Sequence, residues 1–234
     1  MTFIKNLFRP VFNAFIFKAA VLVSRFQKQV AMATLPRFAN NPKNLSFALP
    51  REISHPERMH IGDNVKFGPG CMVKVTTRYP GSWMRHPDGE HIRQQFNPSL
   101  TIGNNVTATS NLHLAATSKI TIEDNVMFAS NVFLADFSHG YERGDLPYKY
   151  QGLTQIAPIT IRRGSWIGQN VVILPGVTIG KNVIIGANSV VRNDIPEGCI
   201  AVGNPARIQK VWDPNTKSWK SVKKSGSLKG RLNA

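Results

Sequence analysis

The chain has 234 residues, enough for one domain with appendages or for two small domains. Apolar residues make up 42% of it, which excludes wholesale disorder. Its 29 lysines and arginines against 13 acidic residues give a formal charge of +16, which attracts polyanions without choosing among nucleic acid, anionic lipid and phosphorylated ligands. The two cysteines, Cys71 and Cys199, form no CxxC or metal-ligand spacing, so a reducing compartment is the simpler reading.

The first predicted element is a helix within residues 1–34. Phe3, Ile4, Leu7, Phe8, Val11, Phe12, Phe15 and Ile16 recur at helical spacing, with Lys5, Arg9, Lys18, Arg25 and Lys28 scattered among them. Arg9 and Lys18 interrupt the apolar run and no small-residue cleavage site follows, which argues against a secretory signal. The stretch also lacks the roughly 20 uncharged residues of a spanning helix. Two readings stay open: an amphipathic helix lying in a membrane interface, or a helix packed on its own domain or on a neighbouring subunit. With its linker, this segment is expected to occupy residues 1–50.

A fixed period then takes over. From Ile161 an aliphatic residue returns every sixth position: Ile161, Ile167, Ile173, Ile179, Ile185 and Val191. Shorter runs precede it: Ile61, Phe67, Val73; Ile102, Ala108, Leu114; and Ile122, Phe128, Leu134. All fifteen of these first positions are apolar, and twelve of the fifteen fourth positions are Asn, Gly or Asp. Those residue types tolerate left-handed backbone or close tight turns. The fifth position is often Val, as at Val65, Val106, Val126, Val132, Val171 and Val183. Positions five and one lie two residues apart, so in a strand they face the same way while position six faces out. Each hexad is therefore a short strand plus a corner.

The breaks in the period give the coil size. Beyond the six-residue step, the excess is 23 residues between Val73 and Ile102, 2 between Leu114 and Ile122, and 21 between Leu134 and Ile161. Every break follows a third hexad. Three hexads thus close one 18-residue coil of a triangular prism, and the insertions leave from one edge. The fifteen hexads give five coils, with a partial sixth expected from Ile195 to Ile208.

This repeat, running over residues 61–208, resembles the hexapeptide-repeat acyltransferases, in which the prism is a left-handed parallel β-helix. The predicted domain occupies 51–212, with loop insertions at 76–100 and 135–158. The loop ADFSHGYERGDLPYKYQGLTQIAP, followed by PITIRRGSWIGQNVVILPGVTIG, is similar to the sugar and lipopolysaccharide O-acetyltransferase branch. That resemblance implies acetyl-CoA as donor, a carbohydrate or glycolipid acceptor, a homotrimer with sites between subunits, no metal, and His139 as general base. An imidazole unprotonated near neutrality suits the removal of a hydroxyl proton. Asp136, three residues earlier, is a candidate to orient His139. His113 occupies an outward sixth position beneath the strand ending at Leu134 and is a candidate to bind the acceptor sugar or to assist the base. Asn111 and Asn131 fill corner positions and need no catalytic role.

The resemblance also implies a donor groove beside the later coils. The matching positions are Trp166, Gln169, Ala187, Arg192, Asn193 and Arg207. Arg192 and Arg207 suit the coenzyme's phosphates independently, since guanidinium pairs well with phosphate oxygens. The first insertion carries Trp83, Arg85, His86, Asp88, Glu90, His91 and Arg93, which fit either a carbohydrate or a subunit contact. Residues 213–234 are Lys-, Ser- and Gly-rich and are expected to be a basic, flexible tail.

Three other function classes are weighed against this reading. One is an N-acetyltransferase of an amino sugar or a serine acetyltransferase, which the SHGY loop disfavours. Another is a non-catalytic β-helix. The last is a nucleic-acid binder, disfavoured because the coils carry little of the excess charge. The expected location is cytoplasmic, with residues 1–34 a candidate for peripheral contact with the inner face of the membrane.

Overall fold

In a computed structural model of the chain, residues 2–80 and 93–222 are described, apart from some side chains in the first half of the opening helix. Helix α1 spans Thr2–Ala33. After it, the described residues form short strands, 3-10 turns and loops.

Three parallel sheets form the walls of a prism. The first face stacks Ser46–Phe47, Lys66–Phe67, Thr107–Ala108, Met127–Phe128, Trp166–Ile167, Ile184–Ile185 and Cys199–Val202. The second stacks Arg51–Ser54, Cys71–Val75, His113–Ala116, Phe133–Ala135, Val172–Ile173 and Val190–Val191. The third stacks Met59–Ile61, Ser99–Ile102, Lys119–Ile122, Ile159–Ile161 and Thr178–Ile179, and Ile195 adds a bridge to Ile179. Register is strict: Val73, Leu114, Leu134, Ile173 and Val191 lie one above another on the second face. All fifteen first-position residues are buried, as are the six valines named at position five.

The corners explain the choice of residue at position four. Asn64, Asn105 and Asn125 have φ of 60°, 57° and 59°, and Asn111, Asn131, Asn170 and Asn188 fall between 51° and 60°. Asparagine accepts this left-handed backbone more readily than other side chains do. Its amide also stacks. Asn111 Nδ2 donates to Asn131 Oδ1 at 2.9 Å, Asn131 to Asn170 at 3.0 Å, and Asn170 to Asn188 at 2.9 Å. The corner role given to Asn111 and Asn131 is the one they perform.

Coiling starts earlier than the period suggests. Phe47 pairs with Phe67 and Ile53 with Val73, so a further layer precedes Ile61: it begins at Ser46, inside the segment assigned to a linker, and continues into the predicted domain at Arg51. Pro50 and Pro56 stand at the fourth positions of those hexads and hide them. The far end also differs from expectation. Arg207–Asp213 runs antiparallel to Cys199–Val202 and pairs in turn with Ser218–Ser221, with Trp212 and Trp219 edge to face at 5.3 Å. Part of the expected flexible tail is therefore a hairpin, and residues 223–234 lie outside the described region.

Both ends of the prism are covered, which open parallel edges require. Leu35, Phe38 and Leu45 pack on the core after α1, while Asn40 donates to Ile61 O at 2.7 Å and accepts from Ile61 N at 3.0 Å. Ala206 and Ile208 close the other end.

Candidate functional site

Both long insertions leave the same edge, between the second and third faces. They follow Val75 and Ala135, two layers apart, or about 10 Å by strand spacing. Each begins as a two-stranded antiparallel ribbon. In the first insertion Arg78–Tyr79 pairs with Gln94–Gln95, and in the second Ser138–His139 pairs with Leu153–Thr154. The seven polar and aromatic residues expected of the first insertion lie outside the described residues, except for Arg93.

His139 is exposed on the second ribbon, opposite Leu153. Gly140 follows because the ribbon closes tightly: its N–H donates to Gly152 O at 2.6 Å, and a Cβ there would sit 2.8 Å from that oxygen. Phe137 and Tyr79 both meet the imidazole in T-shaped geometry, at 6.3 and 5.5 Å between centroids. Tyr79 Oη lies 3.2 Å from His139 Nδ1.

The structure corrects the assignment of Asp136. Its carboxylate is fully buried and accepts from Thr117 N at 2.7 Å and Ser118 N at 2.8 Å. Both oxygens thus pin the corner beneath the loop, and the imidazole's partner is a phenol. Burial raises the Asp136 pKa, opposed by those backbone donors. The misreading came from sequence proximity: the strand ends at Ala135, and the next side chain turns inward under the loop root.

His113 faces out, as its hexad position requires, with Met72 beneath it and Phe133 above it in register. Its ring meets Phe133 edge to face at 4.8 Å. Desolvation lowers its pKa, and Lys74 adds to the effect while Glu52 opposes it.

A groove of about 570 Å³ runs from the root of the second insertion to the last coil. Ser138, Gln155, Leu174, Val190, Arg192 and Asn204 are among its lining residues. Ser138 is the immediate neighbour of His139, and Arg192 supplies a cation at the other wall. The remaining donor candidates do not line this groove. Trp166, Gln169 and Ala187 are exposed on and beside the first face, at the corner it shares with the second. Asn193 is exposed beside Arg192, and Arg207 opens the terminal hairpin, donating to Ala206 O at 3.0 Å. The expected donor positions therefore fall on two edges of one prism. Among the described residues, no three His, Cys, Asp or Glu side chains cluster to hold a metal ion.

Sequence reasoning missed Tyr79 and Gln94. Only the shared exit edge of the two insertions pointed to them, by requiring that residues near 79 and near 139 meet.

Stacked hexads of this register define a class, the hexapeptide-repeat proteins. The family model described as bacterial transferase hexapeptide (six repeats) matches residues 158–193. Two sequence relatives make the placement more specific. The galactoside O-acetyltransferase of Escherichia coli (strain K12) is 38% identical over 54% of this chain and 59% of its own length. The candidate lipopolysaccharide biosynthesis O-acetyl transferase WbbJ of the same strain is 35% identical over 53% of this chain and 66% of its own. The chain thus spans less than two thirds of either relative. A solved structure of AntD, an N-acyltransferase from Bacillus cereus in complex with dTDP and coenzyme A, superposes with a TM-score of 0.60 at 19% identity, covering 81% of this chain and 91% of that one. That likeness concerns the fold. By repeat, register and relatives, the chain is similar to hexapeptide-repeat acyltransferases of the sugar O-acetyltransferase branch.

Proposed function

We propose that the chain transfers an acetyl group from acetyl-CoA to a hydroxyl of a cell-envelope glycan, with His139 as general base. The observation that carries this reading is His139 directly after Ser138, which shares with Arg192 the lining of one groove, on a fold shared with acyltransferases. His139 takes the acceptor hydroxyl's proton through Nε2. The oxygen attacks the thioester carbonyl, the carbon–sulfur bond breaks, and the thiolate leaves; no covalent acyl-enzyme is needed. The groove suits the coenzyme's slender arm, with Arg192 in its lining to meet a phosphate, and Arg207, outside the groove on the terminal hairpin, is assigned to the nucleotide end. His113 sits on the strand next to both insertion roots and is assigned to acceptor contact.

The finer architecture belongs to the same proposal. The coils are left-handed, and the active unit is a homotrimer. Outward columns support the trimer. Met127, Trp166, Ile184 and Ile200 run up the first face, and Met72, His113, Phe133, Val172 and Val190 up the second. The third face presents Thr101, Thr121, Thr160 and Thr178. The later layers of these two walls, beyond Lys66 and Thr107 on the first and Glu52 on the second, suit an assembly that buries them and leaves the threonine wall outside. A donor lying between subunits then meets the Trp166, Gln169 and Ala187 edge of one copy and the Arg192 and Asn193 edge of the next.

Helix α1 is assigned to peripheral contact with anionic lipid on the inner face of the membrane. Phe17, Leu22 and Phe26 are 70%, 70% and 64% exposed, and the helix holds five basic and no acidic residues. Among the described residues, no helix is long and apolar enough to cross a membrane. Sedimentation with vesicles rich in anionic lipid checks this. Binding should be lost in a Lys18→Glu, Arg25→Glu, Lys28→Glu variant, and binding that persists would remove the assignment.

The reaction itself is tested by thiol release from acetyl-CoA against a panel of sugars, glycolipids and amino sugars. Turnover with a glycan hydroxyl supports the proposal. Turnover with amines alone would replace it by the N-acetyltransferase reading.

A further inference from the structure

The two insertions grip each other through two side chains that are neighbours across the first ribbon, Tyr79 and Gln94. Gln94 holds one strand of the second ribbon. Its Oε1 accepts from Leu153 N at 2.6 Å, and its Nε2 donates to Leu153 O at 3.0 Å. The approach is close enough that a Cβ on Gly152 would lie 2.8 Å from that Oε1. Leu153 is the residue paired with His139. Tyr79 holds the other strand, at His139 itself.

The Tyr79 hydroxyl has one hydrogen and two lone pairs. It lies 3.3 Å from Lys149 O and 3.2 Å from His139 Nδ1. A carbonyl oxygen can only accept, so the phenolic hydrogen goes to Lys149 O. With both contacts formed at once, the imidazole supplies the hydrogen in the second. Burial raises the Tyr79 pKa, which keeps that hydrogen in place at working pH.

We propose that Tyr79 is a positioning residue that fixes the neutral imidazole of His139 as its Nδ1–H tautomer and so leaves Nε2 bare as the base, with Gln94 holding the ribbon against it. This inference rests on the proposed role of His139. Free imidazole favours the opposite tautomer, with the hydrogen on Nε2, so the protein must impose the productive one. A carboxylate commonly orients a catalytic histidine. Here Asp136 is committed to backbone N–H groups, and a phenol backed by a carbonyl takes that place.

The test uses the full chain with 15N-labelled histidine, the His139 signals being assigned by their loss in His139→Ala. Wild type should show neutral His139 mainly as Nδ1–H. Tyr79→Phe keeps the ring and removes the hydroxyl, so Nε2–H should become the major form. In turnover, Tyr79→Phe should lower kcat roughly tenfold, the size of one lost hydrogen bond, with KM for acetyl-CoA unchanged. A wild-type Nε2–H tautomer, or a tautomer unmoved in Tyr79→Phe, would overturn the proposal. So would a loss expressed only in KM. The tautomer measurement needs no activity, so a chain that fails to transfer acetyl groups would refute the functional reading and still decide this one.

Discussion

The coils and the two insertions are built on opposite terms. In the coils every layer repeats the one below: an aliphatic residue inward, an asparagine or glycine at the corner, and an outward residue between. The insertions repeat nothing, and they bring together Tyr79, Gln94, His139 and Leu153 from 75 residues of chain. The periodic part fixes where the insertions emerge, and the irregular part supplies the groups that can do chemistry. Substitutions in the two regions should accordingly fail in different ways: coil changes in stability, insertion changes in turnover.

The largest effect on stability should come from the coil centre. Leu114 is fully buried between Val73 and Leu134. Leu114→Ala should lower the unfolding free energy by about 2–5 kcal/mol in a denaturant titration. A loss under about 0.5 kcal/mol, the scale of a surface change, would contradict the view that each layer is tightly packed.

Asp136 sits where the two regions join. Asp136→Ala strips two buried backbone donors of a charged acceptor and should cost about 3 kcal/mol. An unchanged unfolding midpoint with a large loss of turnover would return Asp136 to the catalytic role expected from sequence.

Gln94→Ala should show the opposite balance. It removes two part-buried hydrogen bonds to a ribbon outside the coils, so stability should fall by only about 1–2 kcal/mol. Amide exchange at Leu153 should rise, while amides such as Ile173 in the coils stay protected. Exchange that rises equally in both places would erase the distinction between the regions.

The smallest effect is that of His113. Its pKa in the folded chain lies below the ordinary 6.5, so between the two values the unfolded chain binds more protons than the folded one. Stability should therefore fall as pH drops below 6.5 and level off once the folded form is protonated. Denaturant midpoints at several pH values should show that slope in wild type and a shallower one in His113→Gln. A wild-type slope of the opposite sign would contradict the desolvated placement against Phe133.

The same contrast decided what could be read from the chain. Fifteen in-register hexads made the prism, its 18-residue coil and its insertion edge legible, because every layer obeys one local rule. Where the rule is broken at position four, by Pro50 and Pro56, a layer was missed. The closing hairpin was hidden because Lys, Ser and Gly dominate its composition while Trp212 and Trp219 hold it together. His139 was visible through resemblance. Its partner was not, since nothing in the spacing of Tyr79, Asp136 and His139 says which of the first two reaches the imidazole. That choice depends on the inward turn after Ala135 and on a ribbon two layers away.

The most direct measurement of the central claim is acetyl-CoA thiol release by wild type and His139→Ala, with coenzyme binding and unfolding midpoint recorded on the same samples. Loss of a general base should reduce turnover by about 10²- to 10⁴-fold, with coenzyme affinity and stability essentially unchanged. Turnover in His139→Ala equal to wild type would contradict the account and move the base elsewhere.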